Sequence, residues 1–203
     1  MIYYSQSDQD KWVLEFLKFK RNGFFIEIGA YDGIQTSNTY TMEKFFDWDG
    51  ICIEANPHVF SQLVSNRKSK NLNVAVNDYY GKCLFWGDKI TKEGFEIPCD
   101  TLDNLLTQNE CTKNIDYISI DIEGHEYVVL KNFDFSKWNI GMMTVEHNLY
   151  MGKEENLNNK NNIYNLLSRN GFTRVVDNAP CLDQTPQWFN QPYEDWYINN
   201  KLL

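Results

Sequence analysis

Two groups of side chains in this 203-residue sequence have types and spacing that suit chemistry. The first is Glu27, Gly29 and Gly33, with Glu54 twenty-one residues beyond the second glycine. Glycine has no Cβ, so a turn at Gly29 lets backbone approach a ligand closely. A helix starting after such a turn offers unpaired N–H groups to an anion. A carboxylate ending the next strand sits where α/β nucleotide sites hold ribose hydroxyls. The second group is Asp121, Glu123, His125 and Glu126, followed by Glu146 and His147. Carboxylates and imidazoles serve as general bases, and paired carboxylates also hold hard divalent ions. An acid such as Asp121 at the tip of an apolar strand needs a partner or a task. The bland alternative is four solvated side chains.

The spacing of the first group selects among nucleotide ligands. Glu27-x-Gly29-x-x-x-Gly33 is not the G-x-G-x-x-G of a dinucleotide site, which disfavours a nicotinamide-dependent oxidoreductase. No Gly-Lys-Ser/Thr occurs, so there is no phosphate-binding P-loop. S-adenosylmethionine fits: Glu54 for its adenosine, and Glu27 for the amine beside its carboxylate. The alternative is an ordinary strand, turn and helix with no ligand.

These residues need strands and helices to place them. Residues 24–28, 50–53, 72–76, 117–122, 141–146, 172–176 and 194–198 read as strands. They alternate with helical patterns, which predicts an α/β fold with a mostly parallel sheet. A first helix covers residues 11–20, capped by Asp8 or Asp10, with Trp12, Val13, Phe16, Leu17 and Phe19 as its apolar stripe. Residues 39–47 form a second, and Asn56-Pro57 start a third with Val59, Phe60, Leu63 and Val64 buried. Asn38 caps the second helix or turns its amide toward the methionine tail. Asn77, at the end of the third strand, is placed to meet the adenine amino group. Residues 83–86 read as a short strand, 89–98 as a loop, and Asp100 as the cap of a helix bearing Leu102, Leu105 and Leu106. Val128, Val129 and Leu130 belong to a short helix. Asn-rich 156–162 is a loop or exposed helix start, and 178–192 a long loop. Trp188, Phe189, Tyr193, Trp196 and Tyr197 pack over the sheet or stack on sugar rings. Asp121 and Glu146, at adjacent strand ends, are expected side by side.

Tyr4-Ser5-Gln6 with Asp10, the run Gly23 to Gly33, Ser37-Asn38-Thr39, Trp48-Asp49-Gly50-Ile51, Glu54-Ala55-Asn56-Pro57 and Ile120-Asp121-Ile122-Glu123-Gly124-His125-Glu126 together resemble the FkbM family of S-adenosylmethionine-dependent methyltransferases. The likeness runs from Tyr4 to about Ile198. It implies a Rossmann-like class I methyltransferase: a seven-stranded, mostly parallel sheet with an antiparallel last strand and helices on both faces. It also implies that Gln6, Gly29, Ala30, Tyr31, Asp32 and Ala55 lie at the cofactor, beside Glu27, Asn38, Glu54, Asn77 and Asp121. Members methylate mainly oxygen, often on sugars or natural products. A hydroxyl acceptor must lose its proton, either to His147 or Glu123 as general base, or with help from a divalent ion such as Mg²⁺ on Asp121 and Glu146. A non-catalytic cofactor- or glycan-binding module on the same fold is the other reading.

The net charge of -9 disfavours generic nucleic-acid binding. The clusters Lys18/Lys20/Arg21 and Arg67/Lys68/Lys70 read as solvated helix ends. Five cysteines without a C-x-x-C pair read as reduced thiols, Cys52 being a small core residue. No signal-peptide pattern and no long apolar run is seen, so a soluble, cytoplasmic protein is expected. The length suits one domain, residues 1–203, with 1–22 as a helical lead-in.

Overall fold

The computed structural model describes residues 2–182 and 189–202; Trp188 and part of the expected 178–192 loop lie outside them. Seven strands form one sheet in the order β10-β11-β9-β8-β1-β2-β3. They are β1 (Phe24–Ile28), β2 (Asp49–Ile53), β3 (Lys70–Leu72), β8 (Asn114–Ile120), β9 (Asn139–Glu146), β10 (Phe172–Pro180) and β11 (Pro192–Asn199). β1, β2, β3, β8 and β9 pair in parallel, and β11 runs antiparallel to both β9 and β10. This is the expected α/β, Rossmann-like class I methyltransferase sheet.

Alternation along the strands decides what each face holds. Ile26 and Ile28 of β1, Ile51 and Ile53 of β2, and Ile118 and Ile120 of β8 point into one core. That core is covered by α4 (Leu102–Gln108), α5 (Glu126–Leu130) and α6 (Glu154–Arg169). Phe25, Cys52 and Tyr117 point to the other face, packed by α1 (Gln9–Phe16), α2 (Tyr40–Phe46) and α3 (Pro57–Asn66). Glu27 and Ser119 share this second parity and are buried there.

Several expectations change. The strand over 72–76 is two strands, because Asn73 bends the chain by donating its amide to the carbonyls of Glu54 and Ala55. β4 (Ala75–Val76) leaves the main sheet for a second one, β4-β7-β5-β6. The expected loop over 89–98 holds β6 (Lys89–Ile90) and most of β7 (Phe95–Asp100), while the short strand expected over 83–86 is β5 (Gly81–Trp86). A two-residue Gly87-Asp88 turn joins β5 to β6, a dipeptide suited to hairpins. Thr101, not Asp100, caps α4, its side chain accepting from the Asn104 N–H. Asn56 and Pro57 start α3 as expected, but Val64 on that helix is exposed, as are Phe16 and Phe19 of the first helical region. The Asn-rich stretch lies inside α6, with Asn156 buried. The five cysteines are free thiols, and Cys52 is buried in the core. No helix among the described residues is long and apolar enough to cross a membrane.

Candidate active site

A cavity of about 340 Å³ opens at the carboxyl edge of the parallel strands, within the usual size of ligand pockets. Gly29 and Tyr31 form one side, with Glu54 and Ala55 beside them. Asp121, Glu123 and Glu146 form a second side, and the hairpin residues Phe85, Gly87, Asp88 and Lys89 a third. Gln6 reaches it from the N-terminal segment. Asp10 holds that segment in place: its carboxylate accepts from the Tyr4 N–H and from the hydroxyls of Ser5 and Thr41. Asp10 is therefore a buried clip rather than a solvated cap.

The glycine turn is built by contacts inside the protein. Gly29 has φ 86°, and a Cβ there would overlap the carbonyl oxygen of Asp121. Its lack of a side chain lets the ends of β1 and β8 meet. Gly33, at φ 83°, makes room for Leu63 and Arg67. Tyr31 donates its N–H to Glu54 Oε2 at 2.8 Å, and Asn56 donates to Oε1 at 2.7 Å. Burial pushes the Glu54 carboxyl up, although these N–H groups oppose the shift. Each oxygen retains a lone pair for a ligand hydroxyl.

Four sequence-predicted cofactor residues sit elsewhere. Glu27 is sealed under α2 and α3, where strand alternation sends it. Its carboxylate accepts from Ser37 Oγ, the Asn38 N–H, Thr39 Oγ1 and Arg67. That placement leaves no oxygen for a cofactor amine in the cavity. Arg67, expected at a solvated helix end, is fully buried between Glu27 and Glu43. Asn38 lies under the sheet with its amide donated to Ser119 Oγ at 2.8 Å. Asp32 accepts from the N–H groups of Ile34 and Gln35, so it shapes the turn. Ala30 is buried, its N–H donated to Ile53 O. Asn77 is buried beside the cavity with Oδ1 3.0 Å from His125 Nε2; burial pulls the His125 pKa down.

The acidic group divides by role. Glu126 is fully buried and accepts from the N–H groups of Ile122 and Gly124, so it folds the turn that carries Glu123. Asp121, Glu123 and Glu146 each turn one oxygen to a common point, these oxygens lying within 4.8 Å of one another. Asp121 and Glu146 are thus neighbours, as expected from adjacent strands. Burial raises the pKa of both, most strongly for Glu146, where the Asp121 charge adds to it. Glu123 is pushed up to about 7 by burial and then by the charges of Asp121 and Asp88.

His147 corrects another expectation. It is buried away from the cavity, with Nδ1 accepting from the Leu149 N–H and Nε2 3.4 Å from Asp195. Asp195 also meets Lys160 and Arg174. This is an internal charge network, so His147 does not reach an acceptor.

The cavity also uses Asp88 and Lys89 on the hairpin and Tyr150, which the sequence reading passed over, and Tyr193 on β11, which it offered as a packing or sugar-stacking ring. The Gly87-Asp88 dipeptide was a usable hairpin signal. Nothing local marked Tyr150, which reaches the site through the fold.

A parallel sheet with one reversed strand, an acid at the end of β2 and a crevice at the strand ends define the class I methyltransferases, which use S-adenosylmethionine. Residues 87–174 match the family model described as the methyltransferase FkbM domain. Over that segment the chain is similar to this family, so the resemblance expected from the sequence is borne out. No curated protein matches the chain. Among solved structures, a candidate O-methyltransferase from Klebsiella pneumoniae superposes with a TM-score of 0.60 at 11% identity, over 98% of this chain and 83% of that one. An O-methyltransferase from Bacillus cereus in complex with S-adenosylhomocysteine gives 0.58 at 11%, over 94% and 80%. The plantazolicin methyltransferase BamL, also with S-adenosylhomocysteine, gives 0.54 at 12%, over 96% and 84%. These identities establish a shared fold.

Proposed function

We propose that the protein transfers a methyl group from S-adenosylmethionine to a hydroxyl of a sugar, glycan or other small molecule. The observation that carries this reading is the shared cavity, where the glycine turn and Glu54 face the carboxylates of Asp121, Glu123 and Glu146. Glu54 holds the adenosyl part and the Gly29 turn leaves room for the amino-acid tail, with Gln6, Tyr31 and Ala55 completing that side. Asp121 accepts a hydrogen bond from a neighbouring hydroxyl of the acceptor and so aims the reacting one. Glu123, with a pKa of about 7, takes the proton, since a base works best when its pKa is near the operating pH. The O–C bond forms as the C–S bond breaks, and the electron pair returns to sulfur. Holding oxygen, methyl and sulfur in line supplies much of the rate.

The oxygens of Asp121, Glu123 and Glu146 also suit a hard divalent ion such as Mg²⁺. When bound, such an ion would lower the pKa of the acceptor hydroxyl. Turnover that survives a chelator and is not raised by added Mg²⁺ removes this version. The function itself is tested by a methyl-transfer screen over glycans and hydroxylated metabolites, following S-adenosylhomocysteine release and locating the new methyl group. A methyl found on nitrogen or carbon would replace the hydroxyl assignment. Cofactor binding with no product from any acceptor would favour the non-catalytic module.

A further inference from the structure

Tyr193 lies outside the 87–174 family match and joins two parts of the site that are far apart in sequence. β11 runs opposite to its neighbours, so its first residues, not its last, lie at the edge where the parallel strands end. Tyr193 is the second residue of β11, and its carbonyl accepts from the His147 N–H, the residue after Glu146. The ring is buried at the cavity wall. Its hydroxyl contacts Asp121 Oδ2 and lies 3.1 Å from Gln6 Oε1.

We infer that Tyr193 is a positioning residue that fixes the orientation of Asp121 and ties it to the N-terminal segment. The inference rests on the role proposed for Asp121 above. A phenol has one proton and here two partners. A carboxylate is the stronger acceptor, so the proton points at Asp121. Gln6 Oε1 is the second acceptor within reach of the same hydroxyl, so Tyr193 bridges Gln6 and Asp121. No lysine or arginine pairs with the Asp121 side chain among the described residues. The phenol is therefore the neutral donor that holds Oδ2 of a carboxyl that also meets the Glu146 side chain. Docking of the N-terminal segment through Gln6 and setting of the Asp121 rotamer become one event.

The test is Tyr193→Phe, which keeps the ring and removes the hydroxyl. Crystal structures of both proteins with S-adenosylhomocysteine are compared. The Asp121 carboxylate is expected to leave its wild-type orientation in the variant; an unmoved carboxylate overturns the inference. With an acceptor from the screen, kcat should fall about ten- to a hundredfold, the usual scale for losing a hydrogen bond to a charged group. The KM and the S-adenosylhomocysteine affinity should each stay within roughly threefold, since a positioning contact acts mainly after binding. A matching loss of cofactor affinity would make Tyr193 a cofactor ligand instead and overturn the inference. Should the variant not fold, 3-fluorotyrosine at position 193 supplies the answer. Its fluorine resonance should move when Asp121→Asn is added, and an unmoved resonance is the overturning result. The structural comparison needs no acceptor, so it fails or succeeds independently of the hydroxyl assignment.

Discussion

Arg67 lies 3.0 Å from Glu27 and 3.0 Å from Glu43, closed off from solvent beneath the glycine turn. The guanidinium also donates to Gly33 O and to the hydroxyls of Ser37 and Thr39. Burial alone would raise the Glu43 pKa, but Arg67 and the Lys68 N–H hold it below the usual range. Breaking such a pair leaves one uncompensated buried charge, which costs about 3–5 kcal/mol. Arg67→Ala should lose that much in urea unfolding. Glu27→Gln should also destabilise the fold, yet leave S-adenosylhomocysteine affinity of the folded protein close to wild type. An unaltered stability with a large affinity loss would instead return Glu27 to the cofactor.

Glu54 has the opposite profile. Its two oxygens accept from Tyr31 and Asn56, and it lines the cavity. Glu54→Ala should weaken cofactor binding by about 1.5–3 kcal/mol, the range for hydrogen bonds to a charged group. Calorimetry with S-adenosylhomocysteine reads this directly, and unchanged affinity would remove the ribose assignment.

The contrast between Glu27 and Glu54 shows how far the sequence could be read. Six of the seven strands of the main sheet were visible in the sequence, the third being read at 72–76 where β3 is Lys70–Leu72, and Asp121 beside Glu146 followed from their strand order. Glu27 looked equivalent to Glu54 because motif spacing records distance along the chain, not the face a side chain takes. Parity along β1 puts Glu27 with Phe25, on the side covered by α2 and α3. Arg67 looked solvated because its partners come from β1 and α2, far away in sequence. His147 looked catalytic from its position after Glu146, but Asp195 on β11 claims it. The second sheet was not foreseen as a unit, although residues 75–76 and 83–86 read as strand, because its strands are short and pair out of order, β4 with β7.

Unliganded stability should fall as pH rises from about 5.5 to 8. Burial first, then neighbouring charge, pushes Glu123 up to about 7; burial does the same for Glu126 against its backbone donors. Burial also raises Glu54, Asp121, Glu146 and Glu194. In the folded chain these acids keep protons that the unfolded chain has released. Their contribution is therefore complete below the unfolded carboxylate range and is lost as pH passes the folded values. The lowered His125 pKa works the other way, but only below its ordinary value of 6.5. Glu43 and Asp195, both held low, change only in stronger acid. The loss should appear in urea unfolding as a midpoint that falls steadily across this window. Glu123→Gln should flatten the slope, and a stability that rises through this window would contradict the assignment.

Gly29 links the fold to the chemistry most directly. Its φ of 86° lies in the left-handed region, and a Cβ would run into Asp121 O. The backbone of Asp121 in turn donates its N–H to Ile28 O, so the two strand ends are locked together at this point. Gly29→Ala should cost roughly 2–4 kcal/mol, from backbone strain and overpacking together. Since the neighbour is backbone, it cannot swing aside as a side chain would. The end of β8 must move, carrying Asp121 away from Glu146 and Tyr193. Methyl transfer should therefore fall further than cofactor affinity, even under conditions where the variant is fully folded. Equal losses in both would mean that Gly29 acts on the ligand itself, as its place in the sequence motif first suggests.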